Sequence, residues 1–404
     1  MSPAADGTSS WPRVPLTRPS VGEAEAEAVR RVLLSGWLAQ GPELAAFEAE
    51  FAAYVGAPQA VAVSNCTAAL ELLLHALGVG PGDEVVTPSH SFIAAANAIR
   101  RLGARPVFVD IEPGGYNADP QRVEGAIGPR TAAILAVHQL GMPCDLAALA
   151  GIAEARGVSL IEDAACAAGS EVLWQGTWEK IGRPHGVAAC FSFHPRKIMT
   201  TGEGGMITTA DVDFAARLRR LRAHGMDLDT HARHLGGVLI ERYDEPGFNM
   251  RMTDVQAALG RVQLAGLDGE VRRRRALAAR YARLLAAIPG VRTPVEPDWA
   301  RSNWQSYCVR PPEGADQTTV MRQLADAGVA SRRGVMCVHR EAAYPRGSWS
   351  CRPEADCGCG EGRCDRLRLS EAAQEGSLQI PLFGAMTEAE QDQVVAALAT
   401  ACRP

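Results

Sequence analysis

The sequence has no run approaching the roughly 18 uninterrupted apolar residues that a membrane span needs, and its mean hydropathy is −0.06. Neither charge dominates: 41 Lys+Arg stand against 46 Asp+Glu, a formal net charge of −5. No basic segment is longer than a few residues, which argues against nucleic acid as the main partner. The opening MSPAADGTSSWPRV has neither a charged n-region nor an apolar h-region, so no secretory leader is expected and a globular, cytoplasmic protein is. Lysine is nearly absent. Only Lys180 and Lys197 are lysines; every other residue in the basic count is arginine.

What is present is enough for a sizeable core without staples: 404 residues, 47% of them hydrophobic. At roughly 150 residues per domain the length suggests two or three domains, or one large domain with an appendage. Of the eleven cysteines, Cys66, Cys144, Cys166, Cys190, Cys308, Cys337 and Cys402 are scattered, as buried free thiols would be. Cys351, Cys357, Cys359 and Cys364 instead crowd into one short polar stretch.

From about residue 60 the chain alternates short apolar runs with helical segments. VAVS (61–64), EVVT (84–87), PVFVDI (106–111), AAILAVHQL (132–140) and VSLIED (158–163) read as strands. They are continuously hydrophobic, as in a mainly parallel sheet covered on both faces, so the expected class is α/β. ACFSF (189–193) and GGMITT (204–209) read as a later strand pair. A long helical stretch from Thr253 to Ile288 carries an expected interruption at Gly266–Gly269, which sets the domain boundary. Residues 1–269 then form a large domain, with 1–40 partly an arm and substrate-mouth loop, and 270–404 a smaller α+β domain with an insert at 348–367. The RRRR run at 272–275 reads as a solvated helical face.

Three segments at strand ends carry chemistry. Ser64–Ala69 joins a strand to a helix whose first N–H groups can take an anion, or be closed by an ordinary cap from Ser64 or Thr67. Asp163 ends the apolar strand VSLIED, where a carboxylate can pair with a cationic group or cap the following segment. Lys197 follows a buried strand in SFHPRK, where desolvation and cationic neighbours would lower its pKa and make it a nucleophilic amine; a surface lysine is the bland alternative. An anion site, a carboxylate and an amine are the three demands of pyridoxal phosphate.

With SGWLAQGPELAAFE (35–48), SNCTAAL (64–70), GDEVVTPSHSF (82–92), IEDAACAAG (161–169), FSFHPRKIMTTGEGGM (191–206) and FNMRMTDVQAALGRVQL (248–264), the chain resembles the DegT/DnrJ/StrS family of fold-type-I sugar aminotransferases, from about Leu16 to Leu398. The resemblance implies that Lys197 carries the cofactor covalently and that Asp163 pairs with its ring nitrogen. It also implies phosphate contacts from Cys66, Thr67 and Ser192, ring stacking by Phe92, and Asn249 reaching the phosphate of a neighbouring subunit in a homodimer with shared sites. Trp37 and Gln40 would lie at the substrate mouth, with His194 beside the cofactor and Glu203 after the lysine. Family members often carry glycine at the position of Cys66, and Gln or His at that of Cys166, which contacts the ring hydroxyl; a thiol is the weaker partner there.

The implied activity is ping-pong transfer of an amino group from an amino acid, glutamate by preference, to a nucleotide-linked keto-sugar. A keto-cyclitol aminotransferase, a dehydratase-type synthase of the same family, and a non-catalytic cofactor-binding regulator are the alternatives. The cysteine stretch, spaced C-x5-C-x-C-x4-C, does not match standard zinc ribbons. An exposed loop, a structural zinc site and disulfides all remain open for it.

Overall fold

A computed structural model describes residues 13–227, 240–352, 357–360 and 362–403; the leader reading falls on residues 1–12, outside them. Two helices, α1 (Glu23–Ser35) and α2 (Pro42–Val55), precede the α/β run. That run begins β1 (Gln59–Val63), α3 (Cys66–Ala76), β2 (Glu84–Pro88), α4 (Ala94–Arg101), β3 (Arg105–Val109) and α5 (Pro120–Ala126). It continues with β4 (Thr131–Val137), α6 (Leu146–Arg156) and β5 (Ser159–Asp163), then the hairpin β6 (Glu171–Trp174) and β7 (Thr177–Lys180), and finally β8 (Ala188–Ser192), β9 (Gly205–Thr209) and α7 (Val212–Leu221).

The strands assemble as one seven-stranded sheet in the order β1-β9-β8-β5-β4-β2-β3. β3, β2, β4, β5 and β8 pair in parallel, and β9 runs antiparallel to both β8 and β1. Successive residues of each strand feed opposite faces. Ala62, Val86, Ile134 and Phe191 face one core with α2 and α6; Val63, Val85, Leu135 and Cys190 face another with α3, α4 and α7. Burial on both faces is why these strands read as unbroken apolar runs. The expected α/β class and mainly parallel sheet are observed.

The expected interruption at Gly266–Gly269 is absent. α8 (Asp254–Leu285) runs through it as one helix, opened by a capping box of Thr253 and Gln256. Leu264, Leu267 and Val271 pack in the large core, whereas Leu277, Ala278, Tyr281 and Leu285 pack in the smaller one. The boundary drawn at 269/270 therefore falls inside a single rod that serves both cores. Past it come β10 (Ala300–Arg301), β11 (Tyr307–Val309), α9 (Gln317–Asp326), β12 (Arg332–Arg333), α10 (Arg368–Gly376), β13 (Leu378–Ile380) and α11 (Glu388–Ala401), with a three-stranded sheet β11-β13-β12. Val14 belongs to this smaller core, bridging to Val329, so the start of the described chain goes with the small unit and not the large one.

The arginine run is not uniformly solvated either. Arg272 and Arg273 are exposed, but Arg274 is 2% exposed. It donates to Glu270 at 2.7 Å and to the carbonyls of Trp304, Gln305 and Leu382.

Candidate active site

A cavity of about 560 Å³ opens at the carboxyl ends of the parallel strands, where ligands sit in open α/β sheets. Five strand ends contribute: Asn65, Cys66 and Thr67 after β1, Ser91 and Phe92 after β2, His138 and Gln139 after β4, Asp163 and Cys166 at β5, Ser192, His194 and Lys197 at β8. The smaller unit closes the other side with Gln305, Ser306, Arg332, Arg333 and Gln379.

The anion-binding end is built by a tight strand-to-helix turn. Neither Ser64 nor Thr67 caps α3; Asn65 does, its side chain accepting from Ala68 N–H at 2.8 Å. With Ala68 and Ala69 satisfied by Asn65, the N–H groups of Cys66 and Thr67 belong to the first helical turn, at the positive end of the helix dipole. Gly205 of β9 makes room for this turn: a Cβ there would lie 2.6 Å from the Asn65 carbonyl carbon and 2.8 Å from Cys66 N. Cys66 itself is helical and packs in the core beneath α3, so its Cβ and thiol are accommodated where relatives often have glycine.

Asp163 is 7% exposed. One carboxylate oxygen accepts Ala165 N–H at 3.0 Å, so the local turn and the cavity share this side chain. Burial raises its pKa, partly offset by Ala165 N–H, Lys197 and His138. His138 beside it accepts Cys144 N–H on Nδ1 at 3.1 Å and meets buried Glu162 through Nε2 at 3.0 Å; burial lowers its pKa, but Cys144 and Glu162 more than offset that and raise it.

Lys197 is held by a turn that folds back on β8. Phe193 O accepts from Thr200 Oγ1 and Thr201 N–H, and Lys197 N–H donates to His194 O. Its ammonium donates to Cys166 Sγ at 3.1 Å. The expectation of a lowered pKa is corrected here. Burial pushes the Lys197 pKa down, but the Cys166 sulfur, Cys66 and Asp163 more than offset it, leaving it above the usual lysine value. Its close neighbours are acidic groups and not cations.

His194 accepts Arg196 N–H on Nδ1 at 3.1 Å, which puts its proton on Nε2, 4.0 Å from Glu203. Burial lowers its pKa, so the ring is neutral near pH 7. Phe92 is 56% exposed and lines the cavity, an aromatic face left open to a ligand. The buried amine, the buried carboxylate, two helix-start N–H groups and the open aromatic face fit pyridoxal phosphate.

Three expected residues lie elsewhere. Trp37 donates to Gln40 O, and Gln40 lines a separate cavity with Glu48, Arg219 and Arg222. Asn249 is exposed and does not line the main cavity of its own chain. Conversely, His138, Gln139, Arg196, Gln305, Arg332 and Arg333 were not singled out from the sequence. The HQL that ends AAILAVHQL carried a usable signal for the first two; the others arrive from turns and strands that only the tertiary fold brings in.

A family model for the DegT/DnrJ/EryC1/StrS aminotransferase family matches residues 19–399. The spore coat polysaccharide biosynthesis protein SpsC of Bacillus subtilis (strain 168) is 41% identical over 317 residues, 78% of this chain and 80% of that protein. Among solved structures, the aminotransferase TlmJ from Streptoalloteichus hindustanus superposes with a TM-score of 0.85 at 37% identity, covering 96% of this chain and 98% of that one. The PLP-form of Spr1654 from Streptococcus pneumoniae superposes at 0.86 with 27% identity, covering 96% and 98%.

Proposed function

The chain belongs to the DegT/DnrJ/EryC1/StrS aminotransferase family, whose cofactor is pyridoxal phosphate, and we propose that it moves the amino group of glutamate to a nucleotide-linked keto-sugar. The observation that carries this reading is the pairing of Lys197 and Asp163 in one cavity with a cationic rim. Arg196, Arg332 and Arg333 come from two units to the same mouth. Burial, and then the charges of Arg196 and Arg333, lower the pKa of Arg332. Such a rim suits the carboxylates of an amino-acid donor and the diphosphate of a nucleotide sugar.

The positions of the residues support the roles that the resemblance implies. Pyridoxal phosphate, when bound, supplies an electron sink for the pair left on the substrate carbon. The N–H groups of Cys66 and Thr67, with Ser192, would hold its phosphate; Phe92 would cover its ring; Asp163 would keep its ring nitrogen protonated. Lys197 Nζ takes the proton from the donor Cα and returns one, acting as base and then acid. Cys166 orients that amine through its sulfur. Neutral His194, with Nε2–H toward Glu203, donates to substrate oxygens at the mouth.

The positions of Asn249 and Trp37 support a site completed by a second copy of the chain. Both lie off their own cavity, and Leu33, Leu34 and Leu38, neighbours of Trp37 in the sequence, are each exposed. Among the described residues no helix is long and apolar enough to cross a membrane, in keeping with a cytoplasmic enzyme. The test is to incubate the holoenzyme with glutamate and a panel of nucleotide-linked 3- and 4-keto-sugars, alongside keto-cyclitols, and to measure aminated product by mass. Amination of a nucleotide-linked sugar is the expected result. Conversion of a keto-cyclitol alone would move the assignment to that branch.

A further inference from the structure

The four clustered cysteines play no part in the transamination site, yet the fold draws them to one point. Cys351 follows Ser350, whose backbone adds to the outer edge of the large sheet: Phe108 N–H donates to Ser350 O at 2.7 Å and Ser350 N–H to Pro106 O at 3.0 Å. Arg352 pairs with Glu84 of β2. Cys364 lies just before α10. Between these anchors Cys357 and Cys359 fold inward, so that all six Sγ–Sγ separations lie between 2.6 and 3.5 Å.

This arrangement disposes of two of the readings left open by the spacing. Cys351 and Cys364 are buried and the other two half-buried, which is not an exposed loop. No pair is at the roughly 2.05 Å of a disulfide bond, and all four are free thiols. A tetrahedron with roughly 2.3 Å metal–sulfur bonds has an edge of about 3.8 Å, so the four sulfurs sit just inside the spacing that one ion would set. They are far too close together to enclose a multi-iron cluster. Backbone N–H of Arg366 faces the sulfurs of Cys357 and Cys364, as outer-shell donors to metal thiolates do.

The surrounding apolar cluster is small: Phe108, Val338, Tyr344, Trp349 and Leu367 are its large members. From Ser348 to Leu367 the described residues form no helix or strand. A connection of that length is uncommon without something to order it.

We propose that Cys351, Cys357, Cys359 and Cys364 bind one structural zinc ion, which pins the neighbouring small-unit segment against the loop that carries Phe92. The link is continuous. Cys364 N–H donates to Glu371 Oε1 at 2.6 Å; His339 Nε2 meets the same oxygen at 3.1 Å; His339 Nδ1 meets Ser89 Oγ at 2.6 Å. Ser89 opens the loop Ser89–Phe92, and Ser91 N–H donates to Met336 O at 3.1 Å. Met336 and Phe92 both line the cofactor cavity.

The experiment is elemental analysis of the full-length protein purified without a metal-affinity step, together with the Cys357→Ser/Cys359→Ser double variant. About one equivalent of zinc per chain is expected in the wild type, and none in the variant. Cobalt-substituted wild type should show sulfur-to-cobalt charge-transfer bands and tetrahedral d–d bands; this arm decides the matter even if the variant does not fold. Iron in place of zinc, or no stoichiometric metal with the four thiols either free or paired as disulfides, would overturn the proposal. The pinning role is read separately by titrating pyridoxal phosphate into zinc-depleted and zinc-restored protein. Several-fold weaker binding after depletion is expected; equal affinity would refute the link to Phe92.

Discussion

Replacing Arg274 by methionine tests how the two units are joined over the active site. The side chain is 2% exposed. Its Nε donates to Glu270 at 2.7 Å, while Nη1 is shared among the carbonyls of Trp304, Gln305 and Leu382 at 3.2–3.3 Å. Methionine keeps much of the stem's volume but leaves Glu270 and three carbonyls without their donor. Removing one partner of a buried ion pair costs about 3–5 kcal/mol. Glu270 retains 18% side-chain exposure, so water can reach it and the lower end, about 3 kcal/mol, is expected. Urea unfolding of Arg274→Met should show that loss as a lower midpoint at unchanged slope. Much of the penalty is the stranded carboxylate, so Glu270→Gln/Arg274→Met should recover about 1 kcal/mol or more of it. Gln305 and Leu382 line the cavity, so cofactor affinity should fall as well. A single variant within about 0.5 kcal/mol of wild type would refute the reasoning and restore the view of a solvated helical face.

Three further outcomes follow from the same geometry. Gly205→Ala drives a Cβ into the Asn65–Cys66 backbone; it should cost about 1–3 kcal/mol and weaken pyridoxal phosphate binding in an absorbance titration, and unchanged affinity would contradict the role given to this turn. Asp163→Asn should retain the cofactor but lower kcat/KM by roughly 10- to 1000-fold, the worth of an opposite charge that shifts a pKa by about 1–3 units; near-wild-type kinetics would contradict the pairing. Glu112 is pushed up to about 7, chiefly by burial and then by Asp145 and Asp119. A carboxyl whose folded pKa is raised stabilises the fold below its unfolded pKa and loses that contribution as pH rises through 7. Glu112→Gln should therefore be more stable than wild type above pH 7 by about 1–2 kcal/mol after allowing for solvent screening, with the difference vanishing near pH 4; a constant difference across that range would exclude the linkage.

The sheet, and the placement of Lys197 and Asp163 at strand ends in one cavity, were legible because their signals are local. Strands buried on both faces must be apolar throughout, and a lysine in SFHPRK stands out in a chain with two lysines. The helix α8 was misjudged at Gly266 and Gly269, where glycine propensity costs about 1 kcal/mol each. Burial of Leu264, Leu267 and Val271 on its inner face overrides that, and both glycines sit exposed. The β6–β7 hairpin escaped notice because its turn uses Gln175 and Gly176 at φ 47° and 84°, a primed turn without the usual Asn-Gly signature. Arg274 reads as surface from its neighbours, and only the carbonyls of two distant segments explain its burial. The rim formed by Arg332 and Arg333 is likewise a product of long-range folding, as is the convergence of four cysteines whose spacing matches no standard ribbon.

The central claim is that Lys197 moves the proton in an amino-group transfer. A single-turnover reaction with glutamate and no acceptor tests it most directly. The wild-type holoenzyme should release about one equivalent of 2-oxoglutarate per chain, as the first half of a ping-pong reaction requires, while Lys197→Ala supplied with pyridoxal phosphate should release none on the same timescale. Formation of 2-oxoglutarate by the alanine variant at the wild-type rate would contradict the account.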